Sequence, residues 1–454
     1  MKKLSIGFSL LLGVLAQSAM ALAPRYDHSQ IFVKMKEGQK LSKSALIKET
    51  KHLFGDIYLV KTVDADKLIS SLKNDSSVVY TERDGYAGSQ AMPVAKMVPN
   101  QKAMSRIEGF NDPKMSQLWA FDSKNGMSVL EAYSKLPAVT PEEVIVAVVD
   151  TGVDYNHEDL KDIMWMNAGE IPGDGIDNDG NGYIDDVYGI NTLIRKNGKA
   201  TTDPMASHWH GTHVAGTIAA TQNNGVGIAG VASNVKIMAI RTVPDDADEL
   251  DSDIVEAFLY AAKHGAKLIN CSFGKKINEG GMVVNETMDF IGKKYGTLVV
   301  ASAGNDSNNT WGGGCSGWCN NDEKLKYPAS FDSKYMIVVA STTNRGAFSS
   351  FSNIGPKSVD IAAPGSDIYS TVVEEVNGQL RRGYKMANGT SMASPNATGA
   401  LAMMLGYNPD LSPLQLKKLA MDTVTKVPQL AGKVSSGGRI DLLKALQKTK
   451  TIKK

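Results

Sequence analysis

Val144-Ile145-Val146-Ala147-Val148-Val149-Asp150-Thr151-Gly152 is an unbroken, mostly β-branched run that ends on a carboxylate and a turn glycine. A strand wetted on one side alternates polar with apolar residues, whereas one without alternation is covered on both faces, as in a parallel sheet between helices. Runs of the same kind recur at residues 235–240, 268–270, 298–301 and 336–340. Between two of them, Ile254, Ala257, Phe258, Ala261 and Ala262 fall at i, i+3, i+4, i+7 and i+8, the buried stripe of a crossover helix. The pattern predicts an α/β domain with a mostly parallel sheet over residues 111–454. It also sets Asp150 at a C-terminal strand edge, where such sheets expose chemistry.

Working outward, 454 residues exceed one ordinary core and leave room for a second, smaller domain. A net charge of +1 gives no whole-chain reason to expect nucleic acid, and 42% hydrophobic with 21% charged residues excludes wholesale disorder. Lys2 and Lys3 precede an apolar run at 4–16 and the small-residue site Ala19-Met20-Ala21, which reads as a signal peptide over residues 1–21. The run is shorter than the ~20 residues of a membrane anchor, so export to the periplasm or medium without a stable anchor is expected. Residues 22–87 read as a small α+β domain, with strands at 31–35, 57–63 and 78–81 and helices at 45–52 and 66–73. Residues 88–110, with Pro93 and Pro99, read as a linker holding a maturation site. Residues 22–110 carry 14 basic against 10 acidic side chains and residues 111–454 carry 33 against 38, so opposite charge favours docking of the small part on the large. Cys315 and Cys319 flank Ser-Gly-Trp, free to pair as a local clip or not, and Cys271 reads as a small buried hydrophobe.

Three segments carry groups able to cut an acyl bond. Asp150 follows its strand; His210-Gly211-Thr212-His213-Val214-Ala215-Gly216 opens one helix; Gly389-Thr390-Ser391-Met392-Ala393-Ser394-Pro395 opens another. Helix starts offer unpaired N–H groups and partial positive charge, which suit a neutral base and a developing oxyanion. Singly, each is an ordinary turn former or cap. Together, in the order Asp, His, Ser, they resemble the subtilisin-like serine proteases, or subtilases, over residues 111–446. The resemblance implies a three-layer subtilisin-like domain preceded by a ferredoxin-like propeptide that inhibits its own enzyme. It implies Ser391 as nucleophile, His210 as general base, Asp150 as the group orienting the imidazole and Asn305 as side-chain oxyanion donor. By the same resemblance Ser272, Phe273 and Gly274, with Ala303 and Gly304, bind protein or peptide substrates around a partly apolar P1 pocket, in a monomer.

Asp177, Asp179, Asn181 and Asp185 stand at positions 1, 3, 5 and 9 of an EF-hand-like loop, with Tyr188 where the bidentate Glu belongs, so calcium is expected either in an incomplete cage of low affinity or with the missing oxygen from another segment such as Asp174 or Asp186. The resemblance adds a second calcium site from Asp159 and Asn224, with Asp112 or Gln117. Two rival readings remain: a catalytically silent binding protein of the same fold, and a metallohydrolase built on His208, His210 and His213. The second lacks the acid of a His-Glu-x-x-His motif.

Overall fold

The computed structural model describes residues 25–86, 109–135, 140–196, 199–245, 249–276, 281–309 and 314–449. The signal peptide and nearly all of the linker lie outside the described residues. The small domain runs β1 (Arg25–Met35), β2 (Ile47–Phe54), β3 (Ile57–Thr62), α1 (Ala65–Leu72) and β4 (Val78–Tyr86), an antiparallel sheet in the order β2-β3-β1-β4. Helix α1 starts where the Asp64 side chain accepts from the Lys67 amide. The helix expected at 45–52 is instead strand β2, and residues 36–46 hold no helix, so one crossover of a complete ferredoxin-like unit is reduced to turns. Its helix-forming composition is overridden by the ladder to β3 and by Phe54, which stacks on Phe290 of the large domain at 4.8 Å.

The large domain continues with α2 (Val129–Lys135), β5 (Val144–Asp150), β6 (Gly189–Lys196), β7 (Lys199–Thr201), α3 (Trp209–Ala219), β8 (Val235–Arg241), α4 (Asp251–Lys263), β9 (Leu268–Cys271), α5 (Met282–Tyr295) and β10 (Leu298–Ser302). It closes with β11 (Met336–Thr342), β12 (Ile361–Pro364), the hairpin β13 (Ile368–Val376) and β14 (Gln379–Ala387), α6 (Thr390–Tyr407), α7 (Pro413–Asp422), β15 (Thr425–Lys426), β16 (Gly438–Arg439) and α8 (Leu442–Thr449). The sheet order is β15-β16-β12-β11-β10-β9-β5-β8-β6-β7, antiparallel only at its outer edges. Each apolar run read from the sequence is one of its strands. Val146 and Val148 of β5 join the core under α3 and α6, while Ala147 and Val149 join the core under α4 and α5. That double coverage is why the run never alternates.

Strand β5 lies between β8 and β9, so the chain sweeps to one side of it and then to the other. A crevice opens at such a switch point, beyond the C-terminal strand ends. The small domain covers the other side of α4 and α5. Ile31, Val33 and Met35 of β1 pack with α1 in a core of their own, while Phe32, Phe54 and Ile57 join the core of the large domain. Two of its carboxylates meet helix starts: Asp84 accepts from the Ser252 amide at 2.9 Å and Glu82 from the Val283 amide at 3.0 Å. The pairs Lys34–Glu286 and Lys51–Glu256 have the polarity expected from the charge division.

Candidate active site

Asp150 is the last residue of β5 and wholly buried. One carboxylate oxygen, Oδ1, takes the Thr151 amide at 2.8 Å and lies 2.7 Å from His210 Nδ1. The other, Oδ2, has no hydrogen-bond partner among the described residues. His210 stands in the first turn of α3, where the His208 ring accepts from its amide. The helix comes this close because residue 211 is glycine: a Cβ there would lie 2.0 Å from the Gly152 carbonyl oxygen. His210 Nε2 is buried and makes no hydrogen bond among the described residues, so the second ring nitrogen has no partner there.

Ser391 lies in the first turn of α6, and its Oγ donates to the Ser272 carbonyl at 2.9 Å rather than to His210. Ser272 Oγ donates in return to the Ser391 carbonyl, also at 2.9 Å. Pro395 explains that reciprocity: it has no N–H for the carbonyl four residues back, so the Ser391 oxygen is free for Ser272. Val149 pairs with Cys271, so Asp150 and Ser272 leave adjacent parallel strands side by side, about 5 Å apart. The aspartate, the imidazole bound to it and the serine held by Ser272 therefore gather at one sheet edge.

Asn305 follows β10 and is oriented by Thr390. Its Oδ1 accepts from the Thr390 amide at 2.8 Å and the Thr390 hydroxyl at 3.0 Å, and that hydroxyl takes the Gly304 amide. With the carbonyl end fixed, the Asn305 amide group is left as a donor beside the start of α6. Phe273, Gly274 and Ala303 continue the two strand exits that flank Ser391. Thr151 and Thr390, which hold Asp150 and Asn305 in place, were not singled out from the sequence; their only signal there is adjacency to a functional residue. Cys271 is buried and unpaired, and burial pushes its thiol well up; Cys315 and Cys319 form a disulfide.

The three imidazoles of the histidine cluster do not converge. His213 Nε2 meets the Ile368 and Lys385 carbonyls at 3.0 and 3.2 Å, and burial together with the nearby His210 pushes it down to about 3, a neutral ring. Carboxylates do converge in the acidic loop, where Glu170, Asp177 and Asp179 offer oxygens within 4.8 Å of one another. Asp177 Oδ1 is buried there without a donor, which fits an oxygen-ligated cation. Glu170 was missed because it lies seven residues before the motif. Asp185 accepts from the Gly173 and Gly175 amides, Glu170 and Asp179 likewise accept amides of the loop, and Asn181 braces it through Asp186 and His264.

At the second predicted site Asp159 and Asn224 do meet, at 2.8 Å, but as a hydrogen bond. The remaining oxygen of Asp159 takes the Ile228 amide and the Tyr384 hydroxyl, and Asp112 takes the Asn223 and Asn224 amides. Lys114 lies over the Tyr384 ring at 3.7 Å, its charge felt by Asp159 and Glu158. Gln117 lines a crevice with Trp119 and Tyr369. Among the described residues no buried oxygen here is left without a donor, as Asp177 Oδ1 is in the acidic loop.

A parallel sheet with a switch point at β5, an aspartate and a histidine in contact there, and a serine opening the next buried helix define a class. The Peptidase S8 subtilase family profile matches residues 142–438, and the chain belongs to that family. Among its relatives, subtilisin-like protease 1 of Plasmodium berghei is 31% identical over 345 residues, covering 74% of this chain and 55% of that protein. An extracellular protease of Xanthomonas campestris is 33% identical over 334 residues, covering 70% and 53%. The chain thus spans about half the length of the curated relatives it matches. Among solved structures, fervidolysin of Fervidobacterium pennivorans, described as a keratinolytic enzyme related to subtilisin, superposes with a TM-score of 0.64 at 25% identity, covering 94% of this chain and 61% of that one.

Proposed function

We propose that the protein is an exported serine endopeptidase that hydrolyses protein or peptide substrates through an acyl-enzyme on Ser391. The observation that carries this reading is the 2.7 Å Asp150–His210 contact, with His210 Nε2 left unbonded beside the strand exit that holds the Ser391 hydroxyl. Rotation of the Ser391 hydroxyl from the Ser272 carbonyl to His210 Nε2 aligns its proton with the base. Attack on a substrate carbonyl transfers that proton to His210, and Asp150 stabilises the imidazolium through Oδ1. The oxyanion is met by the Asn305 side-chain amide and by amides at the start of α6. His210 then protonates the leaving amine and activates water to release the acyl group.

Residues 22–87 serve, in this reading, as an inhibitory propeptide seated on α4 and α5, and residues 1–21 as the export signal; relatives named as extracellular proteases support the destination. No helix among the described residues is long and apolar enough to cross a membrane. Glu170, Asp177 and Asp179 would hold calcium, which when bound supplies positive charge that locks the loop against local opening. A serine-directed fluorophosphonate tests the function: labelling of the mature protein that disappears in Ser391→Ala is the expected result, and a folded, mature protein that resists labelling would leave the silent binding protein. The precursor of Ser391→Ala should retain residues 22–87; normal maturation of that variant would assign the cut to another protease.

A further inference from the structure

Strands β9 and β10 are parallel neighbours, with Cys271 opposite Ala301, so residues 272–275 and 303–306 leave the sheet as two walls. In the protease reading, a side chain attached to a carbonyl held between Ser391 and Asn305 would hang between those walls. Both carry glycine at the level of the slot, and what a Cβ would touch there identifies its floor. At Gly304 it would meet Asn353 Nδ2 at 2.6 Å and Lys326 Cγ at 3.2 Å, and at Gly274 the Tyr327 carbonyl oxygen at 2.6 Å and Lys326 Cε at 3.4 Å. The Lys326 stem therefore crosses the slot from one wall to the other, and the residue is only 8% exposed. Its ammonium makes no hydrogen bond among the described residues. The nearest carboxylate oxygen, Asp306 Oδ2, is 3.8 Å away and already accepts from Asn353 at 3.1 Å, while Asp306 Oδ1 is paired with Lys276 at 3.0 Å. Burial pushes the Asp306 carboxyl up, but the two lysines outweigh it and hold it below the usual range. Asp306 is thus flanked by two cations, of which Lys326 lies in the slot.

We propose that Lys326 is the residue that sets selectivity at the bond cleaved, its ammonium receiving an acidic side chain in the slot between Gly274 and Gly304 while Lys or Arg is refused. This rests on the protease reading above and departs from a purely apolar pocket. A cationic side chain would instead meet two ammonium groups already drawn to Asp306, Lys276 at 3.0 Å and Lys326 at 3.8 Å, and like charge disfavours it there.

The test is a matched set of peptides differing only in the residue before the cleaved bond, Glu, Gln, Met or Lys, hydrolysed by the mature wild-type protein. The expected kcat/KM for Glu exceeds that for Gln by about tenfold, the ratio one charge-assisted contact sustains, and Lys falls about tenfold below Gln. In Lys326→Gln the Glu preference should vanish while cleavage after Met persists. Glu no better than Gln in the wild type, or Lys cleaved as well as Gln, overturns the assignment even if Lys326→Gln fails to fold. Hydrolysis of none of the peptides, with no fluorophosphonate labelling, removes the protease reading and this assignment with it.

Discussion

Replacing Asp150 with Asn isolates the charge of the buried carboxylate from its shape. The amide oxygen can keep the Oδ1 position, where the Thr151 amide donates at 2.8 Å and His210 Nδ1 lies at 2.7 Å, so ring orientation is preserved. The NH2 group then takes the place of Oδ2, for which the described residues provide no hydrogen-bond partner. What disappears is the attraction between carboxylate and imidazolium when His210 is protonated. With charge centres roughly 4 Å apart and an effective dielectric near 20, that attraction is about 4 kcal/mol, or about a thousandfold in rate. The assay is kcat and KM on one peptide at constant pH for wild type and Asp150→Asn, with Ser391→Ala as the floor. KM should move little, because nothing at the strand exits that flank Ser391 changes. Thermal unfolding should record about 1–3 kcal/mol of destabilisation for the buried, unaccepted NH2. A loss in kcat below tenfold in a folded variant would refute the electrostatic role of the pair.

Asn305→Ala should lower kcat by about 10²–10³ with little effect on KM, a magnitude carried over from this family of enzymes; equal losses in kcat and in binding of a product peptide would make Asn305 a wall rather than an oxyanion donor. Chelation should lower the thermal midpoint of the wild type and calcium restore it, whereas Glu170→Gln and Asp177→Asn should shift the midpoint and abolish the calcium response. Asp159→Asn should leave that response intact, since Asp159 lies outside the cluster of Glu170, Asp177 and Asp179. Docking of the small domain should weaken as pH rises. Burial, then repulsion from Asp251, pushes Glu82 up to about 8, and burial pushes Asp84 up to about 7, so the docked state favours their protonated forms. That contribution is complete below the undocked values near 4 and is lost as pH climbs through about 7 to 8. Hydrogen exchange at the first turns of α4 and α5 in the Ser391→Ala precursor should therefore speed up, beyond the intrinsic rate, between pH 6 and 9; unchanged protection would show that the helix starts hold both carboxylates ionised.

The sheet was legible because a doubly covered strand writes its environment into every residue: Val144 through Val149 have no wet side on which to carry a polar group. Asp150, His210, Ser391 and Asn305 were legible for a different reason, each standing at the end of a strand or start of a helix whose signal is local. What sequence hid was whatever depends on a distant partner. Residues 45–52 have helical composition, yet the unsatisfied edge of β3 and the ring of Phe290 make them a strand. Glu170 lies outside the loop motif and is brought to Asp177 and Asp179 only by the fold of residues 170–179. At Asp159 the ligand types are those of a cation site, but the Tyr384 hydroxyl arrives from a hairpin more than two hundred residues later and Lys114 from the start of the domain.

The same division governs how the site can be altered. Ser391 is held by Ser272 in both directions, and that pairing exists because Pro395 leaves a carbonyl unclaimed. A helix-friendly residue at 395 would restore the intrahelical bond to the Ser391 carbonyl and compete with Ser272 for it. Ser391 would stay in its helix while losing a tie to the strand exit that flanks it, with Ser272 Oγ left buried and short of an acceptor. Since Asn270 Nδ2 donates to that same Ser272 Oγ at 2.9 Å, and Asn270 Oδ1 in turn accepts from Ser394 and Thr398 of α6, the disturbance would pass into the packing of the central helix. The proline is thus part of the machinery that positions the serine, although it touches no reacting atom.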